Sequence, residues 1–492
     1  MSSGVVLDAH YAYKYCAPSR AALLTGRTPG DGISELNPAL PTAFANVPLN
    51  LTLLPQALRR GARYRTHHVG KWHLGFYRSA YLPIRRGFDT SLGYLGGAET
   101  HFSQSGGCSI SNGRSCCENW FGPTEAQPPN VDLFEDGAPA RGMEGQYGAR
   151  MYADRALLRI REHAAEMRRD ESAGVAPRPM FLYHAFQNAH VPLEVRPEDL
   201  AKFAPNASEF RDARIYRTMV GVADEIVGEV VAALKASSMW DDSLVIVMAD
   251  NGAPTGPPDP FTGSNWPLRG GKYSYFEGGI RTAALVTGGL VPPAQRGTKR
   301  DAIVHSSDWY ATIARLAGIL DADYVQETIA GAVDQWPLIA NGDVSAPRDE
   351  VLLGVGNGKS GAMRVGRYKL LMSEQEPNEW TGPHSPNGTK AGSTKPGPCK
   401  HQPCVFDLEA DPGEHRDLSA TQPDLLASLV ERYQNATAGV GPFEHEPPEE
   451  SLVWRDGYHH PVSSDVPAGC IKMRDNGFWW APWDDADRSA AL

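Results

Sequence analysis

The chain has 492 residues, 41% hydrophobic and 21% charged, enough to bury a sizeable core and too long for one ordinary domain. Its net charge of −11 argues against nucleic acid as the main partner, though a few local cations can still dominate a pocket. No apolar run reaches the roughly 18 residues of a membrane span, so no membrane partner is expected, and residues 1–8 lack the basic region and apolar length of a signal peptide.

The first predicted element is a helix opening near Cys16. Pro18 suits a first helical turn, and Ala21-Ala22-Leu23-Leu24 continue it. A side chain at a helix N-terminus faces free N–H groups and the positive end of the dipole, a natural place for an anion. Arg20 adds a permanent planar charge suited to oxyanions. Residues 64–69 read as a strand ending at Gly70-Lys71-Trp72-His73, and residues 146–169 as a long helix. The run 180–186 is a second strand, leading to Asn188 and His190. After a helix over 211–235, the apolar run 244–249 delivers Asp250-Asn251-Gly252, and residues 309–319 form another helix. Continuous apolar runs alternating with helices predict an α/β fold with a mostly parallel sheet flanked by helices. In such sheets ligands sit beyond the carboxyl ends of the strands, so the three polar clusters are expected at one edge.

A smaller α+β domain is predicted over 348–440, after a main domain over 1–347. Its parts are a strand at 363–372, a Pro/Gly/Ser/Lys-rich loop at 374–404, a strand at 405–408 and a helix at 425–436. The aromatic tail, 441–492, is expected to lie across the body as an extended strap. Seven cysteines and four Asn-x-Ser/Thr triplets, at Asn50, Asn206, Asn387 and Asn435, lean toward an oxidising, glycosylating compartment. Cys108 is near Cys116 and Cys117, and Cys399 is near Cys404; spacing does not fix their pairing or that of Cys470.

Taken as a set, these residues resemble the type I sulfatases. The run Cys16-Ala17-Pro18-Ser19-Arg20 with Leu24-Thr25-Gly26-Arg27 resembles the family's first signature, and Gly70-Lys71-Trp72-His73-Leu74-Gly75 its second. Arg85-Arg86-Gly87-Phe88-Asp89, Asp250-Asn251-Gly252, Asn265-Trp266-Pro267-Leu268-Arg269-Gly270-Gly271-Lys272 and Phe276-Glu277-Gly278-Gly279-Ile280-Arg281 follow in family order. Val405-Phe406-Asp407-Leu408 with Asp411-Pro412 resembles the C-terminal marker. The details are most similar to the arylsulfatase B, or N-acetylgalactosamine-4-sulfatase, group.

The resemblance implies an alkaline-phosphatase-like large domain and hydrolysis of sulfate from sulfated carbohydrates or aryl sulfates. It implies that a formylglycine-generating enzyme converts Cys16 to formylglycine, whose hydrate presents one hydroxyl to sulfur. Arg20 and Lys71 would hold that group. Lys272 and His190 would contact the sulfate, one of them protonating the departing oxygen, and His73 would take the second hydroxyl's proton to release sulfate. Asp250 and Asn251, with residue 16, would hold a calcium ion. His67, His68 and His184 match no motif position and are read as structural. A lysosomal or secreted location also follows from the resemblance.

The sequence departs from the pattern at one point. The family's two further calcium ligands, an Asp-Asp pair, precede the cysteine motif, and this chain starts after them; Asp8 matches a different position. The expectation is a longer parent protein. An inactive glycan-binding relative and a phosphodiesterase on the same scaffold are the alternatives.

Overall fold

The computed structural model describes residues 3–28, 45–106, 131–206, 208–255, 263–342, 346–356, 360–373, 378–382 and 402–440, with 36, 38, 399, 452–455, 458–461, 476 and 479–482. In chain order, the elements used below are β1 (Val5–Tyr11), α1 (Cys16–Thr25), β2 (Arg65–Lys71), β3 (Thr90–Tyr94), β4 (Phe134–Glu135), β5 (Ala138–Pro139), α2 (Gly148–Ser172) and β6 (Met180–Ala185). They continue with α3 (Arg211–Ala236), β7 (Val245–Met248), β8 (Arg281–Thr287), β9 (Thr298–Arg300), β10 (Val304–His305) and α4 (Asp308–Leu316). The last are β11 (Glu350–Gly356), β12 (Ser360–Val365), β13 (Tyr368–Ser373), β14 (Cys404–Asp407) and α5 (Pro423–Thr437).

The chain divides into two units, each assembled from three segments. The first comprises Met1–Glu35, Ala207–Ala213 and Met239–Glu444, and the second Leu36–Asn206, Arg214–Ser238 and His445–Leu492. In the first, β1 lies between β8, antiparallel to it, and β9 and β10, both parallel to it; β7 joins the far side of β8. Val5, Leu7, Ala284 and Val286 of this sheet pack on Trp309 of α4. In the second, the order is β5-β4-β3-β2-β6, with β2 parallel to both β3 and β6. Val69, Leu92 and Tyr94 pack there on Met151, Tyr152 and Ala156 of α2.

The α/β character and the helices match expectation to within a few residues. One placement differs. β7 does not share a sheet with β2 and β6, because its ladder partner is β8. Both β6 and β7 are half-buried strands at the edge of their own sheets, although their apolar runs read as fully covered.

The expected single strand at 363–372 is a hairpin. β12 and β13 pair antiparallel around Gly366, whose φ of +53° turns the chain, and they continue the four-stranded sheet β11-β12-β13-β14. Met363, Leu370 and Val405 of that sheet pack on Leu429 and Tyr433 of α5. In the tail, Leu452–Arg455 and Tyr458–Pro461 form an antiparallel pair. Trp480 is buried in the second unit, its ring stacked on Phe76 and its backbone N–H donating to the carbonyl of Val131.

Cys399 and Cys404 form a disulfide. Cys108, Cys116, Cys117, Cys470, Asn387 and most of the loop 374–404 lie outside the described residues. Asn50 and Asn435 are exposed. No helix among the described residues is long and apolar enough to cross a membrane.

Candidate active site

The eight expected residues fall in both units, five in the first and three in the second. In the first, β1 runs into α1 through Tyr13-Lys14-Tyr15, and Cys16 is the first helical residue, 4% exposed. Ser19 fixes this entry: its hydroxyl donates to the Tyr15 carbonyl and accepts from the Tyr13 N–H, at 3.1 and 2.9 Å. No side chain caps the helix, so its first amides stay available beside Cys16. Cys16 is the free cysteine among the described residues.

One turn on, Arg20 donates from Nε and Nη2 to Oδ2 of Asp250, at 3.0 and 2.7 Å. Asp250 stands just past the end of β7, so this pair ties the α1 N-terminus to a strand end. The neighbouring Asn251 donates from Nδ2 to the Gly252 carbonyl, while its Oδ1 is shielded from solvent and accepts no hydrogen bond. Gly252 lets the turn press against the next loop: a Cβ there would lie 1.7 Å from the Gly278 carbonyl oxygen. Asn265 closes the arrangement, accepting from the Ala253 N–H and donating to the carbonyls of Ala253 and Gly270. The Lys272 N–H donates to the same Ala253 carbonyl, and Lys272 is 4% exposed.

Asp250 and Asn251 therefore fit a hard divalent cation in kind. An unpartnered, water-shielded carbonyl oxygen beside a carboxylate is a donor set for calcium or magnesium. Two side chains are fewer than the roughly six to eight oxygens that calcium takes.

In the second unit, Lys71 ends β2 and is 2% exposed; His73 follows at 4%. His73 adopts φ +58°, in the left-handed region that costs a non-glycine residue energy. Trp72 holds the turn, its indole donating to the carbonyls of Gly75 and Tyr81. Gly70 is required for closeness: at φ +96°, a Cβ would meet the Ala185 carbonyl oxygen at 2.0 Å. β6 lies beside β2, so His190 leaves the same sheet edge as Lys71. The Nδ1–H of His190 donates to the Val191 carbonyl at 2.8 Å.

The three histidines outside the motifs have partners of their own. His67 and His68 bond Thr90 and Ser91 across the β2–β3 ladder, and His184 stacks on Phe186. Burial lowers His67 and His184 to about 4, keeping them neutral. Asp8 binds Arg281 and Lys299. Sequence reasoning missed the part of Glu277. Its carboxylate meets Tyr11 and Lys369, and Lys369 also pairs with Glu414, wholly buried. These partners lie far apart in sequence, so no local pattern reveals them. Asn265 was visible only as one letter of a motif; its clamp depends on Ala253 and Gly270.

Fold and donor set define an α/β protein whose helix N-terminus and neighbouring strand end suit an anionic group and a divalent cation. A family profile described as Sulfatase matches residues 1–319. Arylsulfatase J of Mus musculus is 29% identical over 515 residues, covering 98% of this chain and 75% of its own. N-acetylgalactosamine-6-sulfatase of Canis lupus familiaris is 26% identical over 455 residues, covering 87% and 77%. Among solved structures, Ps i-CgsB in complex with k-i-k-neocarrahexaose superposes with a TM-score of 0.71 at 25% identity, covering 90% of this chain and 86% of that one. The chain belongs to the sulfatase family, and its chemistry is sulfuric ester hydrolysis.

Proposed function

We propose that this protein removes sulfate from sulfated sugars, with residue 16 acting as formylglycine after oxidation of Cys16. The observation that carries this reading is the placement of a buried cysteine at an uncapped helix N-terminus, one turn from an arginine locked to Asp250. Free amides, Arg20 and the buried Lys272 supply positive charge for a sulfate. Lysines are rarely buried without an anionic or dipolar reason, which weighs against idle surface charges at 71 and 272.

In this reading one hydroxyl of the residue-16 hydrate loses its proton to solvent, and the resulting alkoxide bonds to sulfur as the ester S–O bond breaks. His190, through Nε2, gives its proton to the departing sugar oxygen. His73 then removes the proton of the second hydroxyl, the carbonyl re-forms, and sulfate leaves. Arg20 and Lys71 lower the cost of negative charge on the residue-16 oxygens. Asp250 and Asn251 would hold calcium, which when bound supplies Lewis-acid polarisation of a sulfate oxygen.

Relatives named for N-acetylgalactosamine 6-sulfate, and the resemblance to the N-acetylgalactosamine-4-sulfatase group, both support a sulfated amino sugar. The narrower arylsulfatase B specificity goes beyond the names these relatives carry, so the 4- and 6-positions are to be compared directly. Exposed Asn50 and Asn435 are the proposed glycosylation sites, in keeping with a secreted or lysosomal location.

The test is to co-express the chain with a formylglycine-generating enzyme and measure the mass of the peptide containing residue 16. Turnover of 4- and 6-sulfated N-acetylgalactosamine, 4-nitrophenyl sulfate and 4-nitrophenyl phosphate is then assayed. An aldehyde at residue 16 with preference for sulfate over phosphate supports the reading. A thiol in fully active protein would overturn it.

A further inference from the structure

The segment carrying His190 is fastened by a residue absent from every motif above. His101 is fully buried, and both its ring and its backbone reach the 190–194 loop. Its Nε2 lies 3.1 Å from the His190 carbonyl oxygen; a carbonyl only accepts, so Nε2 carries the hydrogen. Its backbone N–H donates to Oε2 of Glu194 at 2.6 Å. One residue thus spans both ends of the loop.

His101 is itself rigidly held. Its carbonyl accepts from the Gly148 N–H at the start of α2 and from Gln104 Nε2. Glu99, two residues before it, is buried, with its carboxylate bonded by the Tyr152 hydroxyl and its carbonyl by Gln187 Nε2. Gln187 in turn accepts the His190 N–H on its carbonyl, and Asn188 is tied to the Met219 carbonyl in α3. The loop bearing His190 is therefore pinned from the 99–104 segment and from α3.

We propose that His101 and Glu194 are positioning residues that hold His190 in register for proton delivery to the leaving group. This rests on the reading of His190 as the acid. Geometry of this kind matters because small displacements of a proton donor are expensive in rate, most of all when the leaving oxygen is basic. Burial lowers His101 to about 4, so it stays neutral and donates one hydrogen bond throughout the working range.

The experiment uses the matured full chain and two probes: a sulfated N-acetylgalactosamine, with a poor leaving group, and 4-nitrophenyl sulfate, with a good one. Removing the donor with His101→Phe should lower kcat for the sugar by on the order of tenfold, the weight of one lost hydrogen bond. The aryl ester should be nearly unaffected and KM little changed. His101→Gln, which restores an N–H donor, should recover most of the loss, and Glu194→Ala should repeat it in a variant that leaves the buried ring in place. His190→Ala is the reference and should show the same leaving-group selectivity, more strongly. Equal slowing of both probes by His101→Phe and Glu194→Ala, with selectivity intact in His190→Ala, overturns the positioning role and leaves the acid assignment standing. Loss of selectivity in His190→Ala itself overturns both.

Discussion

Arg20 places two N–H groups on one carboxylate oxygen of Asp250, at 3.0 and 2.7 Å, joining the first turns of α1 to the end of β7. The guanidinium is nearly buried while Asp250 keeps partial contact with solvent. Lysine cannot reproduce this fork. Arg20→Lys is expected to lower kcat on the order of a hundredfold while the protein remains folded, as read by circular dichroism beside a rate assay. Wild-type activity in that variant would remove Arg20 from the chemistry.

The unpartnered Oδ1 of Asn251 makes a cation prediction that needs no turnover. Adding calcium to chelator-treated protein should raise Tm, since a ligand that binds only the folded state stabilises it by mass action. Asn251→Ala should abolish that rise. An equal rise in the variant would place the ion elsewhere.

His73 sits at φ +58°, where asparagine is tolerated and alanine is strained. His73→Asn should therefore keep wild-type Tm but lose roughly a hundredfold or more in kcat, stalling after one equivalent of alcohol is released. His73→Ala should lose Tm as well. A full steady-state rate in His73→Asn would show that another group is the base.

The buried carboxylates around Lys369 set a pH dependence of stability. Burial would raise Glu277, but Lys369, Arg281 and Arg364 outweigh it and hold its carboxyl below the ordinary value. Burial pushes Glu414 up to about 7, with Lys369 opposing and the Glu277 charge adding. A raised carboxyl stabilises the fold below its unfolded pKa, and that contribution disappears as pH rises through about 7. Glu277 works the other way: its contribution is present above the ordinary carboxylate range and is lost in stronger acid. Glu414 should therefore contribute a fall in Tm from pH 5 to pH 8, against the rise that the buried neutral His67, His101 and His184 add, and Glu414→Gln should remove that falling component. A slope unchanged by the substitution would assign the pH dependence to other groups.

Gly252→Ala should destabilise by about 2–3 kcal/mol, because the new methyl would lie 1.7 Å from the Gly278 carbonyl oxygen unless the Asp250 turn moves. Denaturant melts give the stability change. The same displacement should weaken the calcium-dependent rise in Tm.

Local chemistry in this protein is legible because it is local. Cys16 and Arg20 share a helix turn, Asp250 and His190 each stand beyond a strand that an apolar run announces, and Lys71 ends a strand with a weaker, more polar pattern. Long-range pairing is not legible in the same way. Nothing in residues 244–249 distinguishes a partner at β8 from one at β2, so assignment of β7 to a shared sheet edge failed. The hairpin at Gly366 was hidden because residues 363–372 alternate throughout like one strand. His101 carries no signal at all until the fold sets its ring against the His190 carbonyl.

Cys16 is 4% exposed once the first unit has closed. That unit takes residues 1–35 from before the long segment of the second unit and 239–444 from after it. On the reading of residue 16 as formylglycine, a modifying enzyme that needs an accessible thiol would act before the later segment docks. The discontinuous layout would leave position 16 waiting, without its finished surroundings, while some four hundred residues emerge from the ribosome. Timing of maturation would then follow from the order in which the chain is made.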